Sequence, residues 1–162
     1  MDSGKRSQHV DKMGESFETG KCNCEDLPEV TAMYESFSPK PASQGLPPAE
    51  KDTRSAWVQK LFQTAENFAV WKSGMVVGHC ALVSDMRLLD AEYLIFVLTP
   101  QQNRGIGTVL TKTAIDHALQ IGLKNLWLTV EAYNFRAIRM YKNAGFQFVD
   151  ECDRERTMLK SL

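Results

Sequence analysis

The chain has 162 residues, 19 of them Lys or Arg and 20 Asp or Glu, for a formal net charge of −1. Such a length suits one domain with a sizeable core, and such a balance implies no general attraction to nucleic acid or to an anionic membrane. No apolar run approaches the ~18 residues that span a bilayer, and residues 1–14 lack the apolar stretch of a secretory signal, so a cytoplasmic protein is expected.

Residues 1–14 read as a loose, disordered tail, and residues 15–162 as one folded domain. Residues 16–22 read as an edge strand. Asp26-Leu27-Pro28 opens a helix running to about residue 36, with Val30, Met33 and Tyr34 on one face. Residues 37–53 hold Pro39, Pro41, Gly45, Pro47 and Pro48 and read as a loop. A second helix, about 49–64, carries Trp57, Val58, Leu61 and Phe62. Strands are predicted at 68–72, 76–83 and 88–98, and a helix at 108–122. Leu126, Leu128 and Val130 then alternate with Trp127, Thr129 and Glu131, a strand pattern. Asn134 is a good N-cap for a helix with Ala137, Ile138, Tyr141 and Ala144 on one face, and Gly145 is a good residue to end it. Strands near 146–151 and 156–160 close the order. Cys22, Cys24, Cys80 and Cys152 lack the spacing of a metal site with His9, His79 or His117 and read as free thiols in a reducing compartment.

Gln102-Asn103-Arg104-Gly105-Ile106-Gly107 lies between the strand-like run at 93–98 and the helical run at 108–122. Two glycines one residue apart, at the mouth of a helix, leave backbone N–H groups uncovered. With the positive end of the helix dipole they suit a phosphate or pyrophosphate, and Arg104 adds a positive charge. The same glycines would also serve a tight turn that binds nothing. A dinucleotide fingerprint needs a third glycine at position 110, where Leu stands, and the Gly-Lys-Ser/Thr of a P-loop is absent.

Gln-x-x-Gly-x-Gly, a helix, a strand, then Asn-x-x-Ala-x-x-x-Tyr-x-x-x-Gly-Phe follow one another in this chain. In that order and spacing they resemble the GNAT superfamily of acetyl-CoA-dependent N-acyltransferases, over residues 16–162. The resemblance implies an α/β (α+β) fold: a mixed twisted sheet of about seven strands with helices on both faces, in the order βααβββαβαββ. It implies acetyl-CoA as co-substrate and no metal. The pyrophosphate would lie on Gln102, Asn103, Arg104, Gly105, Ile106, Gly107 and Thr108. Backbone groups of Phe96, Val97 and Leu98 would pair with pantetheine. Asn134 would lie near the pantetheine arm and Tyr141 near the thioester sulfur.

Chemistry in such a family is direct transfer: a neutral amine attacks the thioester carbonyl, without a covalent enzyme intermediate. Tyr141 is the candidate acid for the departing thiolate, because a phenol with a reference pKa of ~10 stays protonated at neutral pH. Read alone, Tyr141 is better explained as a core residue on an apolar helix face, and the resemblance reverses that reading. Glu92 is the first candidate base and Glu131 the second, with Asp90 and Asp85 as further options; each could instead be a solvated surface carboxylate. The acceptor is an amine on a small molecule or protein. The loop at 37–53 is expected to wall its cleft, through Phe37, Gln44 and Leu46. A homodimer is one assembly open to such a chain. Two other classes compete: a non-catalytic acyl-CoA-binding regulator on the same fold, and a simple phosphate-binding α/β module.

Overall fold

The computed structural model describes residues 4–37, 47–151 and 153–162. One sheet of eight strands runs through it. The strands are β1 (Ser7–Val10), β2 (Ser16–Lys21), β3 (Glu66–Lys72), β4 (Met75–Asp85), β5 (Asp90–Val97), β6 (Asn125–Glu131), β7 (Gln147–Phe148) and β8 (Glu155–Ser161). The helices are α1 (Leu27–Glu35), α2 (Lys51–Thr64), α3 (Ile106–Gln120) and α4 (Phe135–Asn143). Spatial order is β1-β2-β3-β4-β5-β6-β8-β7. Neighbours are antiparallel except β5 and β6, which the α3 crossover makes parallel. The expected mixed sheet with helices on both faces is therefore present, with one strand more than predicted. No described helix is long and apolar enough to cross a membrane.

The extra strand corrects the reading of residues 1–14 as a loose tail and of 16–22 as the sheet edge. β1 pairs with β2 from Ser7↔Thr19 to Val10↔Ser16. A turn closes this hairpin: the buried Asp11 carboxylate accepts from the N–H groups of Met13 (2.8 Å) and Glu15 (3.0 Å), and Gly14 takes φ +84°. An aspartate that hydrogen-bonds its own downstream backbone is a strong turn former. β1 itself is almost wholly exposed, so it carries no hydrophobic alternation by which to be recognised.

Two cores flank the sheet. On one face, Leu110, Ala114 and Ala118 of α3 and Ile138 and Tyr141 of α4 pack on Phe17, Val70, Leu82, Tyr93, Leu126 and Leu128. On the other, Val30, Met33 and Tyr34 of α1 and Val58 of α2 pack on Ala69, Trp71, Val76 and Phe96. A polar network ties the second core to the sheet. Asn67 Nδ2 donates to the carbonyls of Leu61 and Ala65 at 2.9 Å, so its Oδ1 accepts from His79 Nε2 at 3.0 Å. That fixes the neutral Nε2–H tautomer and leaves Nδ1 to accept from the Tyr34 hydroxyl at 2.7 Å.

Several element bounds differ from expectation by a few residues, two of them for evident local reasons. α2 starts at Lys51 because the Glu50 carboxylate caps it, accepting from Asp52 N (3.0 Å) and Thr53 N (2.7 Å). The strand expected at 146–151 shrinks to Gln147–Phe148. The Asp150 carboxylate takes the Thr157 N–H at 2.6 Å and the Arg156 guanidinium at 3.0 Å, and so replaces the backbone ladder.

Candidate active site

β5 leads through a short turn, Thr99–Gln101, into the glycine motif and α3. Asn103 (φ +62°) and Gly105 (φ +89°) both adopt the left-handed conformation that tightens the turn. Gly105 is the N-cap of α3, so the N–H groups of Ile106, Gly107 and Thr108 begin the helix without intrahelical partners. Gln102 folds back, its Nε2 donating to the Val97 carbonyl at 2.9 Å. Its buried Oε1 has no partner among the described residues.

Two expectations about this turn change. Arg104 does not stand free beside the N–H groups. Its guanidinium pairs with Glu15 (3.0 Å) and Asp11 (3.4 Å) of the N-terminal hairpin, and Lys72 pairs with the same two carboxylates. Gly107, for its part, faces a helix: a Cβ there would lie 2.8 Å from Met140 Sδ. A side chain there would have to push the flexible end of Met140 aside, so α4 presses on this position through Met140.

The parallel pair is short. β5 and β6 register only from Asp90↔Asn125 to Glu92↔Trp127. Beyond that point β5 stays paired with β4 to Val97↔Gly78, while β6 stays paired with β8 to Glu131↔Glu155. The two halves of the sheet thus part, and the gap opens toward the glycine turn. The Leu98 N–H donates to the Val77 carbonyl at 2.9 Å, which makes Leu98–Val77 a hydrogen-bonded pair of the β4–β5 ladder. By alternation the backbone groups of Phe96 also point to β4, those of Ile95 and Val97 point into the gap, and Tyr93 spends its N–H on the last rung to β6 and turns only its carbonyl to the gap. Of the predicted trio Phe96, Val97 and Leu98, only Val97 offers its backbone there, and Gln102 already occupies its carbonyl. Tyr93 and Ile95, which sequence reasoning did not single out, lie on the same edge.

α4 ends in a double hydrogen-bonded turn. The Phe146 N–H reaches the Tyr141 carbonyl and the Gly145 N–H the Lys142 carbonyl, each at 3.0 Å, with Gly145 at φ +97°. This turn sets the Phe146 ring 5.9 Å from Tyr141, and Tyr93, 6.5 Å from Tyr141 and stacked on Phe146 at 6.2 Å, completes a triangle of rings. Tyr141 is therefore a core residue by packing. Burial pushes its phenol pKa well up, so the hydroxyl stays protonated at neutral pH. At the other end of α4, the Asn134 side chain accepts from the Ala137 N–H at 3.2 Å, as expected of an N-cap. It is exposed, between the exposed rings of Tyr133 and Phe135.

Glu92 stands at the last paired position before the gap and is half-buried; desolvation raises its pKa. Strand alternation puts it with Leu94 and Phe96 on the α1/α2 face, opposite Tyr93 and Tyr141. The predicted acid and base thus meet only through the gap. Glu131 is exposed at the end of β6, across from Glu155. Asp90 and Asp85 face each other at the far end of the β4–β5 hairpin, where Arg87 engages Asp85. Phe37 joins an edge-to-face group with Tyr34, Trp57 and Phe96, at centroid distances of 5.2 to 6.5 Å. Gln44 and Leu46 lie outside the described residues.

The hairpin turn at Asp11–Gly14 was the largest omission of sequence reasoning, although Asp-x-x-Gly before the Phe17 strand is a legible turn signal. It docks on the glycine motif, with the Lys12 N–H donating to the Arg104 carbonyl at 3.0 Å.

An open mixed sheet, parted at its parallel pair beside a glycine turn, places the chain in the fold class that its motifs resemble. Residues 29–146 match the Acetyltransferase (GNAT) family, and the chain belongs to it. It is 30% identical over 129 residues to the mycothiol acetyltransferase of Propionibacterium freudenreichii subsp. shermanii, covering 77% of this chain and 41% of that protein. The chain thus spans about two fifths of the length of this curated relative. Among solved structures, the GNAT domain of S. lividans PAT aligns with a TM-score of 0.78 at 15% identity, over 97% of each chain. A Salmonella typhimurium structure solved with its cofactor acetyl-CoA aligns with a TM-score of 0.68 at 19% identity, over 90% of this chain and 92% of that one.

Proposed function

We propose that the chain is an N-acetyltransferase that moves the acetyl group of acetyl-CoA directly to a primary amine. The observation that supports this most is the parted β5–β6 pair opening beside the glycine turn. Pantetheine is an extended chain with two amides, and it suits an unpaired strand edge that runs from the Tyr93 carbonyl through Ile95 to Val97. The pyrophosphate suits the free N–H groups at the start of α3. A groove of ≈ 250 Å³ between α3 and α4, lined by Thr108, Thr111, Ile115 and Met140 among others, continues from that point and is open to the adenosine part.

In the reaction the amine nitrogen bonds to the thioester carbonyl carbon as the carbon–sulfur bond breaks. Tyr141 gives its proton to the departing sulfur. Glu92 takes the amine's proton through water, a role suited to a carboxylate whose pKa desolvation has raised. The aromatic group of Phe37, Trp57 and Phe96 borders the acceptor side. The relative's name assigns it an acetyltransferase reaction, and this reading extends the reaction class, not its acceptor, to the present chain.

The test is coenzyme A binding by isothermal titration, then turnover of acetyl-CoA with a broad amine panel, read as thiol release and product mass. Binding with turnover is expected. Binding without turnover on any amine would favour a regulatory acyl-CoA sensor, and no binding would end the reading.

A further inference from the structure

Arg104 is the only charged residue between Asn103 and Thr108, yet it brings no net charge to the turn. Arg104 and Lys72 face Asp11 and Glu15 in a compact cluster, two cations against two carboxylates. The Asp11 side chain in it is fully buried and that of Lys72 nearly so. Lys112, farther along α3, is paired with Asp116 at 2.5 Å. Helix N–H groups alone would then face a ligand bearing several phosphate charges.

Lys12 fills that gap. It sits in the hairpin turn, is exposed, and makes no ion pair among the described residues. Its backbone N–H is fixed to the Arg104 carbonyl at 3.0 Å. Its side chain runs along Gly105: Cγ and Cε lie 3.8 and 3.7 Å from where a Cβ on Gly105 would stand. The ammonium, one bond beyond Cε, is thereby held beside the start of α3.

We propose that Lys12 is a phosphate-binding residue of the coenzyme A site, delivered by the β1–β2 turn. The Asp11–Glu15–Lys72–Arg104 cluster serves to clamp that turn onto the glycine motif. The inference rests on the coenzyme A reading above and adds a residue from outside the motif. An ammonium–phosphate contact is charge-assisted and strong for its size.

Isothermal titration would compare the parental protein, Lys12→Ala, Lys12→Arg and the distant control Lys124→Ala, each with coenzyme A and with pantetheine, which has no phosphates. Because Lys12 is exposed, ligand-free melting temperatures should agree. Lys12→Ala should weaken coenzyme A about tenfold or more, leave pantetheine unchanged and flatten the salt dependence of binding. Lys12→Arg should keep most of the affinity, and Lys124→Ala all of it. Parental affinity for coenzyme A in Lys12→Ala would overturn the proposal, as would equal weakening of coenzyme A and pantetheine. A parental protein that binds no coenzyme A would overturn the functional reading itself, a distinct result.

Discussion

Tyr141 combines two properties that usually compete: it is packed as a core ring and keeps a proton that an acid could give away. Burial raises its pKa, so the acid form persists across the neutral range and no alkaline activity limb should arise from it. Tyr141→Phe keeps the ring contacts with Phe146 and Tyr93 and removes only the hydroxyl. Turnover should fall about 10²-fold or more while coenzyme A affinity stays close to parental. Single-turnover kinetics with titration would check both, and parental turnover with chemistry rate-limiting would leave Tyr141 a packing residue. His79 offers a second test. Burial lowers its pKa from 6.5 to about 3, so the unfolded chain binds a proton in that window that the folded chain refuses. Stability is therefore complete above pH 6.5 and falls with decreasing pH, by up to about 1.4 kcal/mol per unit. His117, lowered by its own desolvation, adds to the same slope. Urea midpoints between pH ~6.5 and ~5 should show the decline, and His79→Gln should flatten most of it. An undiminished slope in that variant would mean that the Tyr34–His79–Asn67 network relaxes to admit the charge.

The elements best legible in the sequence were those with both a period and a stop signal. α4 carried Asn134 before its apolar face and Gly145 after it; in the structure Asn134 is the N-cap, and Gly145, left-handed, follows the C-cap Ala144 and ends the helix. β1 had the stop signal Asp11-x-x-Gly14 but no period, because it is almost wholly exposed and its pairing rests on backbone bonds. Arg104 shows the same limit at a single position. Its partners Asp11 and Glu15 lie 93 and 89 residues away in sequence, so a local reading sees only a free cation. Gly107 is the converse case: the motif identified the residue, but the constraint on it comes from Met140 on another helix. Gly107→Val should accordingly destabilise the ligand-free protein by about 1–3 kcal/mol through overpacking, before any effect on ligand affinity. Thermal melting without coenzyme A would check this. A variant as stable as the parent would mean that α4 yields at no cost, leaving only the approach of phosphate to explain the glycine.

At the scale of the molecule, the order of helices and strands from Ser16 onward was legible because most apolar periods are long and most breaks, such as those at Ser73-Gly74, Gly122 and Gly145, carry Gly, Pro or Asn. The parting of β5 from β6 was not legible, since both runs read as ordinary strands and only their register shows where pairing stops. A gap of this kind has a consequence for proton traffic with solvent. The amides of Ile95 and Val97 face no neighbouring strand, although they belong to a strand in the middle of the sheet. In deuterated water they should exchange orders of magnitude faster than those of Leu94 and Phe96, which the β4 ladder protects. A ligand lying in the gap as a ninth strand would slow these fast amides selectively. Residue-resolved exchange with and without coenzyme A would then trace the ligand's path along β5 one amide at a time.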